Sequence, residues 1–185
     1  MLYQILSFLL DTAVSILAGA CLLRLLMQLQ RMSFANQVGR LVFAVSDWIV
    51  LPLRKLLPAS GRLDSSSLLA AYLLVVAKYL VLWGLLGGVT PLALVPVIAL
   101  FGLAQLVLTL LTALLIVYAV LSWLQPVSPM MPIVERMVGP MLLPIRRQLP
   151  AIAGFDFSPL VLLLLLQVAG MLLGGLQGEV LRSLL

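Results

Sequence analysis

The side chains of this sequence best suited to chemistry are two adjacent cationic pairs, Arg54–Lys55 and Arg146–Arg147. Each pair sits between two prolines and is followed by an aspartate and a serine. The first stretch has Pro52, Pro58, Asp64 and Ser66, and the second has Pro144, Pro150, Asp156 and Ser158. Equivalent positions are 92 residues apart throughout (146 − 54 = 92). Cations so placed can bind lipid headgroups or acidic partners, because arginine offers a planar fork of donors matched to phosphate and carboxylate. The competing reading is topology, since Lys and Arg at the inner edge of the bilayer are what any multispanning protein carries. Topology alone does not predict their fixed place between paired prolines.

Catalysis has no comparable signal. Histidine is absent and Cys21 is the sole cysteine. This removes the commonest metal and haem ligand, the usual proton carrier near neutral pH, and any disulfide framework. No serine–histidine, zinc-ligand or paired-acid arrangement exists, so neither enzymatic activity nor a metal or cofactor is expected. A second polar set, Asp11, Lys78, Gln105 and Gln167, lies inside apolar runs. At a rise of about 1.5 Å per residue they share one depth, roughly 12 to 15 Å below the outer surface. A charge stranded in hydrocarbon costs from a few to more than about ten kcal/mol, so Asp11 and Lys78 are expected to pair. The layer they define is either a clasp between two helices or the lining of an ion or proton path. Arg24, near the inner end of its run, is expected to snorkel.

The elements that must position these residues follow from composition. With 64% hydrophobic residues, 9% charged residues and a mean hydropathy of +1.25, the chain cannot cover a water-soluble globule. A hydrocarbon core roughly 30 Å thick needs about 20 apolar residues per crossing. Four such runs occur, at about 2–27, 66–88, 97–124 and 158–178. The first is read as a retained helix and not a cleavable leader, because Asp11 interrupts it and no basic side chain precedes it. Asp64 or Ser66, and Asp156 or Ser158, are natural helix N-caps, with Pro159 suited to the first turn. Before these caps, about 38–57 and about 133–149 mix apolar residues with arginines, as a helix lying in the interface does. In the second of these, Ile133, Met137 and Met141 are expected to share one side. The first is more apolar and is expected to lie in the interface or dip into the bilayer.

These runs predict an all-α membrane protein of four transmembrane helices in two parallel repeats, 1–92 and 93–185, each with an interfacial amphipathic helix between its two membrane helices. The two connections holding the cationic pairs are expected to be cytoplasmic and both termini periplasmic, since the Gly87–Pro96 connection carries no charge. Gly84 with Gly88, and Gly170 with Gly174 and Gly178, have the spacing that lets membrane helices approach closely. Gly178 is equally suited to end the fourth helix. The net charge of +5 is consumed at membrane edges, and no nucleic-acid partner is implied.

The doubled Pro-x-Arg-[Lys/Arg]-x-x-Pro-x-x-x-x-x-Asp-x-Ser block resembles the YggT family of small bacterial and plastid membrane proteins. So do Leu23–Met27, the Asn36 region, Lys78 with the residues before it, and Ser122–Trp123. Trp48 departs from the proline usual in the family, which the second copy keeps as Pro140. The resemblance implies an inner-membrane protein without established enzymatic activity. It also implies links to osmotic-stress tolerance, to cell division and, in plastid relatives, to membrane organisation and cytochrome b6 haem assembly. The leading expectation is a non-enzymatic scaffold or assembly factor that binds lipids or membrane-protein partners through Arg54, Lys55, Arg146 and Arg147, with a homo-oligomer left open. The alternative is a small channel or transporter accessory lined by Asp11, Lys78, Gln105 and Gln167.

Overall fold

A computed structural model describes residues 1–56, 64–85, 91–124, 128–148 and 156–184. Pro58, Arg62, Gly87, Gly88 and Pro150 lie outside the described residues. The elements are α1 (Leu2–Leu29), α2 (Gln37–Leu56), α3 (Ser65–Leu85), a single 3₁₀ turn (Leu92–Leu94), α4 (Val95–Leu124), α5 (Met131–Arg146) and α6 (Ser158–Leu184). Four of them, α1, α3, α4 with its leading turn, and α6, are long and apolar enough to cross a membrane. The protein is an all-α, multi-pass membrane protein.

Local signals set the helix ends. Arg31 has φ 50°, and there the Met32 and Arg31 N–H groups reach back to the carbonyls of Met27 and Gln28, at 2.9 and 3.0 Å. This pair of bonds closes α1 with a left-handed residue. Asn36 then caps α2, its Oδ1 accepting the Gly39 N–H at 2.7 Å. Gly39 is obligatory: a Cβ there would lie 2.4 Å from the Phe34 carbonyl oxygen. Asp64 caps α3 by accepting the Ser67 N–H at 3.3 Å. The fourth membrane helix runs past Gly178 to Leu184, so that glycine does not end it. Among the described residues, a Cβ at Gly84, Gly174 or Gly178 would meet nothing within 4 Å.

Packing divides the chain into two compact units, residues 1–107 with 180–185, and 108–179. In the first, α1 packs on α3 and on α2. The α1–α3 seam is built from small buried side chains, Ala18 and Cys21 on one helix and Ala70, Ala71 and Val75 on the other. Small residues let two membrane helices approach closely enough for dispersion to hold them. The start of α4 joins this unit: the Tyr72 hydroxyl donates to the Pro96 carbonyl at 3.1 Å, and Gly102 lies under the Tyr79 ring. On α2 the buried side is Val42, Ser46 and Val50, while Arg40, Leu41, Ala44, Trp48, Leu51 and Lys55 are exposed.

The second unit is centred on Leu115 and Tyr118 of α4 with Val134, Val138 and Leu142 of α5, and Leu162, Leu163 and Leu166 of α6 pack against them. On α5 the buried stripe is Val134, Met137, Val138 and Leu142, with Ile133 and Met141 only half-buried at its edges. It is rotated from the expected Ile133–Met137–Met141 face toward Val134, Val138 and Leu142, which share one buried apolar cluster with Leu115 and Tyr118.

Candidate functional site

Two charge clusters dominate the polar chemistry. The first gathers at the ends of α1, α2 and α3. Arg24 does not snorkel: it is 2% exposed, its Nη1 2.6 Å from Asp47 Oδ1 and 3.1 Å from Ser46 Oγ, with Nε 3.7 Å from Asp64 Oδ2. Its guanidinium also lies over the Phe43 ring, 4.5 Å from the centroid. Burial is tolerated because two carboxylates face the cation, removing the drive toward water that makes an unpaired membrane arginine snorkel.

Asp64, fully buried, is the hub. Its Oδ2 receives Arg54 Nη2 at 2.7 Å and the Ser67 hydroxyl at 2.8 Å, and its Oδ1 receives the Ser66 hydroxyl at 2.8 Å. Burial alone would raise the Asp64 carboxyl, but the Ser67 and Ser66 hydroxyls and the Arg54 guanidinium outweigh it and hold the group below the ordinary carboxylate range. Two arginines and two aspartates make the cluster neutral.

The second cluster repeats the tether. Arg146 Nε lies 2.8 Å from Asp156 Oδ2, its Nη1 lies 3.6 Å from Glu135 Oε1, and its Nη2 donates to the Tyr118 hydroxyl. Asp156 Oδ1 accepts the Ser158 N–H at 2.9 Å, at the start of α6. Burial again works to raise this carboxyl, and hydrogen bonds from Ser158 and Arg146 hold it below the ordinary range. Ser158 is itself fully buried.

Among the residues singled out from sequence, Arg54 and Arg146 are therefore engaged inside the fold. Lys55 and Arg147 are exposed, and their side chains have no partner among the described residues. Within the apolar layer, Lys78 Nζ lies 3.0 Å from Asp11 Oδ1 and 4.3 Å from the Tyr79 ring centroid. Gln105 is exposed on α4 and Gln167 on α6. Sequence reasoning missed Asp47, Ser46 and Tyr118. The available signal was the ten-residue spacing of Arg54 to Asp64 and of Arg146 to Asp156, which marks a tether in both copies. Among the described residues no group of three or more His, Cys, Asp and Glu side chains could hold a metal ion.

The sequence profile of the CCB3/YggT family matches residues 3–85 and 97–177. The uncharacterized protein YggT of Escherichia coli K12 is 40% identical over 170 residues, covering 90% of this chain and 87% of that protein. An uncharacterized protein encoded in the proC 3′ region of Vibrio alginolyticus is 34% identical over 177 residues, covering 94% and 96%. One from Pseudomonas aeruginosa is 30% identical over 172 residues, covering 89% and 86%. No solved structure matches the chain. The two matched segments begin 94 residues apart (97 − 3) and end 92 apart (177 − 85). On the first spacing Tyr118 takes the place of Arg24 and Gln105 that of Asp11 (118 − 24 = 105 − 11 = 94). One family unit is thus present twice, once with a buried arginine in its clasp and once with a tyrosine. The chain belongs to the CCB3/YggT family.

Proposed function

We propose that the chain is a non-enzymatic scaffold or assembly factor of the bacterial inner membrane, with both termini periplasmic and with α2 and α5 lying as interfacial amphipathic helices at the cytoplasmic face. The observation that carries this reading is the doubled tether. Arg54–Asp64 and Arg146–Asp156 each fasten the end of a short helix to the start of the next membrane helix, at 2.7 and 2.8 Å. Beside each tether stands an exposed cation, Lys55 or Arg147. A cationic, partly apolar surface held rigid and displayed twice suits docking of lipid headgroups or of membrane-protein partners, a second copy of this chain among them. The family resemblance would place such a platform in osmotic-stress tolerance, cell division or membrane-complex organisation.

Crosslinking and mass spectrometry in native membranes test the proposal. Reproducible partners on the wild type that disappear in Lys55→Gln/Arg147→Gln, with insertion intact, support it. Unchanged crosslinks count against those cations as the docking groups. One observation favours a second reading, a small channel or transporter accessory: the Asp11–Lys78 pair lies within α1 and α3, and the Asp11 side chain is 55% exposed. Solute flux in liposomes that Lys78→Met abolishes would establish that reading, whereas a scaffold shows no flux in either protein.

A further inference from the structure

We propose that the end of α2, and its repeat at the end of α5, each seat one anionic phospholipid. The inference rests on the membrane-scaffold reading and names the ligand of its cationic surface. A groove of about 490 Å³ is lined by Leu51, Pro52, Arg54 and Lys55. The same sequence of groups returns as Leu143, Pro144, Arg146 and Arg147, and the exposure returns with it. Leucine and proline are exposed, the next two residues are half-buried, and the final cation is exposed, in residues 51–55 and again in 143–147.

Charge and shape narrow the occupant. At the first seat the arginines and aspartates cancel, so the uncompensated charge is that of Lys55; at the second, Glu135 also faces Arg146, at 3.6 Å, and offsets part of the field of Arg147. The single positive charge of the first seat is the complement of a phosphodiester with no second charge on its headgroup. The groove's other wall is apolar. Leu51 is 49% exposed, and along the same face of α2 follow Trp48 and Leu41, 61% and 66% exposed. The indole N–H of Trp48 is satisfied by the Val45 carbonyl at 2.8 Å, which leaves the ring free to lie against hydrocarbon. An occupant must be anionic at one end and apolar at the other. A soluble phosphate compound would satisfy the cation and leave the leucine and tryptophan uncovered. In the second copy Pro140 stands where the first has Trp48, so the first seat holds its lipid more tightly.

Native mass spectrometry of the full chain in detergent, titrated with phosphatidylglycerol or phosphatidylcholine, reads the seats directly. Phosphatidylglycerol is expected to be retained about fivefold more tightly per cation, the effect of one Lys or Arg near a membrane surface. Lys55→Gln should remove one retained lipid and Lys55→Gln/Arg147→Gln both, with helicity unchanged because both side chains are exposed. Brominated phosphatidylglycerol in vesicles should quench Trp48 in a Trp83→Phe/Trp123→Phe chain more than brominated phosphatidylcholine does. Equal retention of the two lipids, or a preference that survives the double substitution, overturns the proposal. So does displacement of the lipid by excess glycerol phosphate, which would mean a soluble phosphate ligand. The scaffold reading fails separately: phosphatidylglycerol preference without reproducible crosslinked partners removes the scaffold and leaves the seats, and the reverse removes the seats and leaves the scaffold.

Discussion

Replacing Asp64 with asparagine should destabilise the protein far more than the equivalent change at Asp156. Asparagine keeps an N-cap for α3, so the substitution removes mainly the charge. What it leaves is Arg24, 2% exposed, with Asp47 as its one remaining carboxylate, and Arg54 with none. The Arg54 side chain is 35% exposed, so water takes over much of its share of the pair and that loss is small. The cost therefore arises largely at Arg24, and removal of one partner from a buried pair costs about 3–5 kcal/mol. Because Asp47 stays at 2.6 Å, the lower end, about 3 kcal/mol, is expected. At the second tether the Asp156 and Arg146 side chains are 24% and 30% exposed, and Asp156→Asn should cost about 1–2 kcal/mol. Equilibrium unfolding in mixed detergent micelles, followed by helicity, measures both. Arg24→Met/Asp64→Asn should cost less than the sum of its single changes, with a coupling of about 1–3 kcal/mol. Equal losses at Asp64 and Asp156, or strict additivity with Arg24, would refute the hub assignment.

The carboxyls of Asp64 and Asp156 lie below their ordinary range when folded, so they contribute stability that is fully present above the unfolded value and lost as pH falls. Unfolding midpoints should be flat from about pH 7 to 5 and drop below about pH 4, less steeply in Asp64→Asn. Gly39→Ala should cost about 1–3 kcal/mol by overpacking against the Phe34 backbone, whereas Gly174→Ala, facing open space, should gain about 0.5–1 kcal/mol of helix stability. The same unfolding assay separates the two. Lys78→Met should cost about 1 kcal/mol, and most of that should return in Asp11→Asn/Lys78→Met, where neither charge is left alone. Failure of the double change to recover would mean that the pair is not the source of the loss.

Much of the architecture was legible in sequence because a membrane imposes strong rules. Run length gave the four spans, the repeated prolines and acids placed the helix starts, and equal depth made Asp11 and Lys78 natural partners. The clasps were hidden for a different reason. Arg24 and Asp47 are 23 residues apart, across a turn whose path depends on the Asn36 cap, Gly39 and the left-handed Arg31. Depth alone put Arg24 near the water, and only the return of α2 alongside α1 brings Asp47 to it. Arg54 and Arg146 read as free anchors because the ten-residue spacing to the next aspartate means a tether only once the helix ends carrying the two groups are known to meet. Tyr118 carried no signal without the repeat spacing of the first helices, which differs by two residues from that of the loops.

The buried arginine of α1 also bears on how the chain is made. Synthesis proceeds from the N-terminus, and α1 is finished before any of its counterions exists. Asp47 follows Arg24 by 23 residues and Asp64 by 40 (64 − 24), while Lys78 follows Asp11 by 67 (78 − 11). Until Asp47 and Asp64 have been made, the first helix holds an unmatched cation at one end, and until Lys78 has been made it holds an unmatched acid along its length; each is costly in hydrocarbon. The α1–α2–α3 unit is therefore expected to insert as one, its first helix settling fully only once the third is in place. The second copy, with Tyr118 in place of the arginine and Gln105 in place of the acid, places no such debt on α4, which can partition into lipid as soon as it emerges.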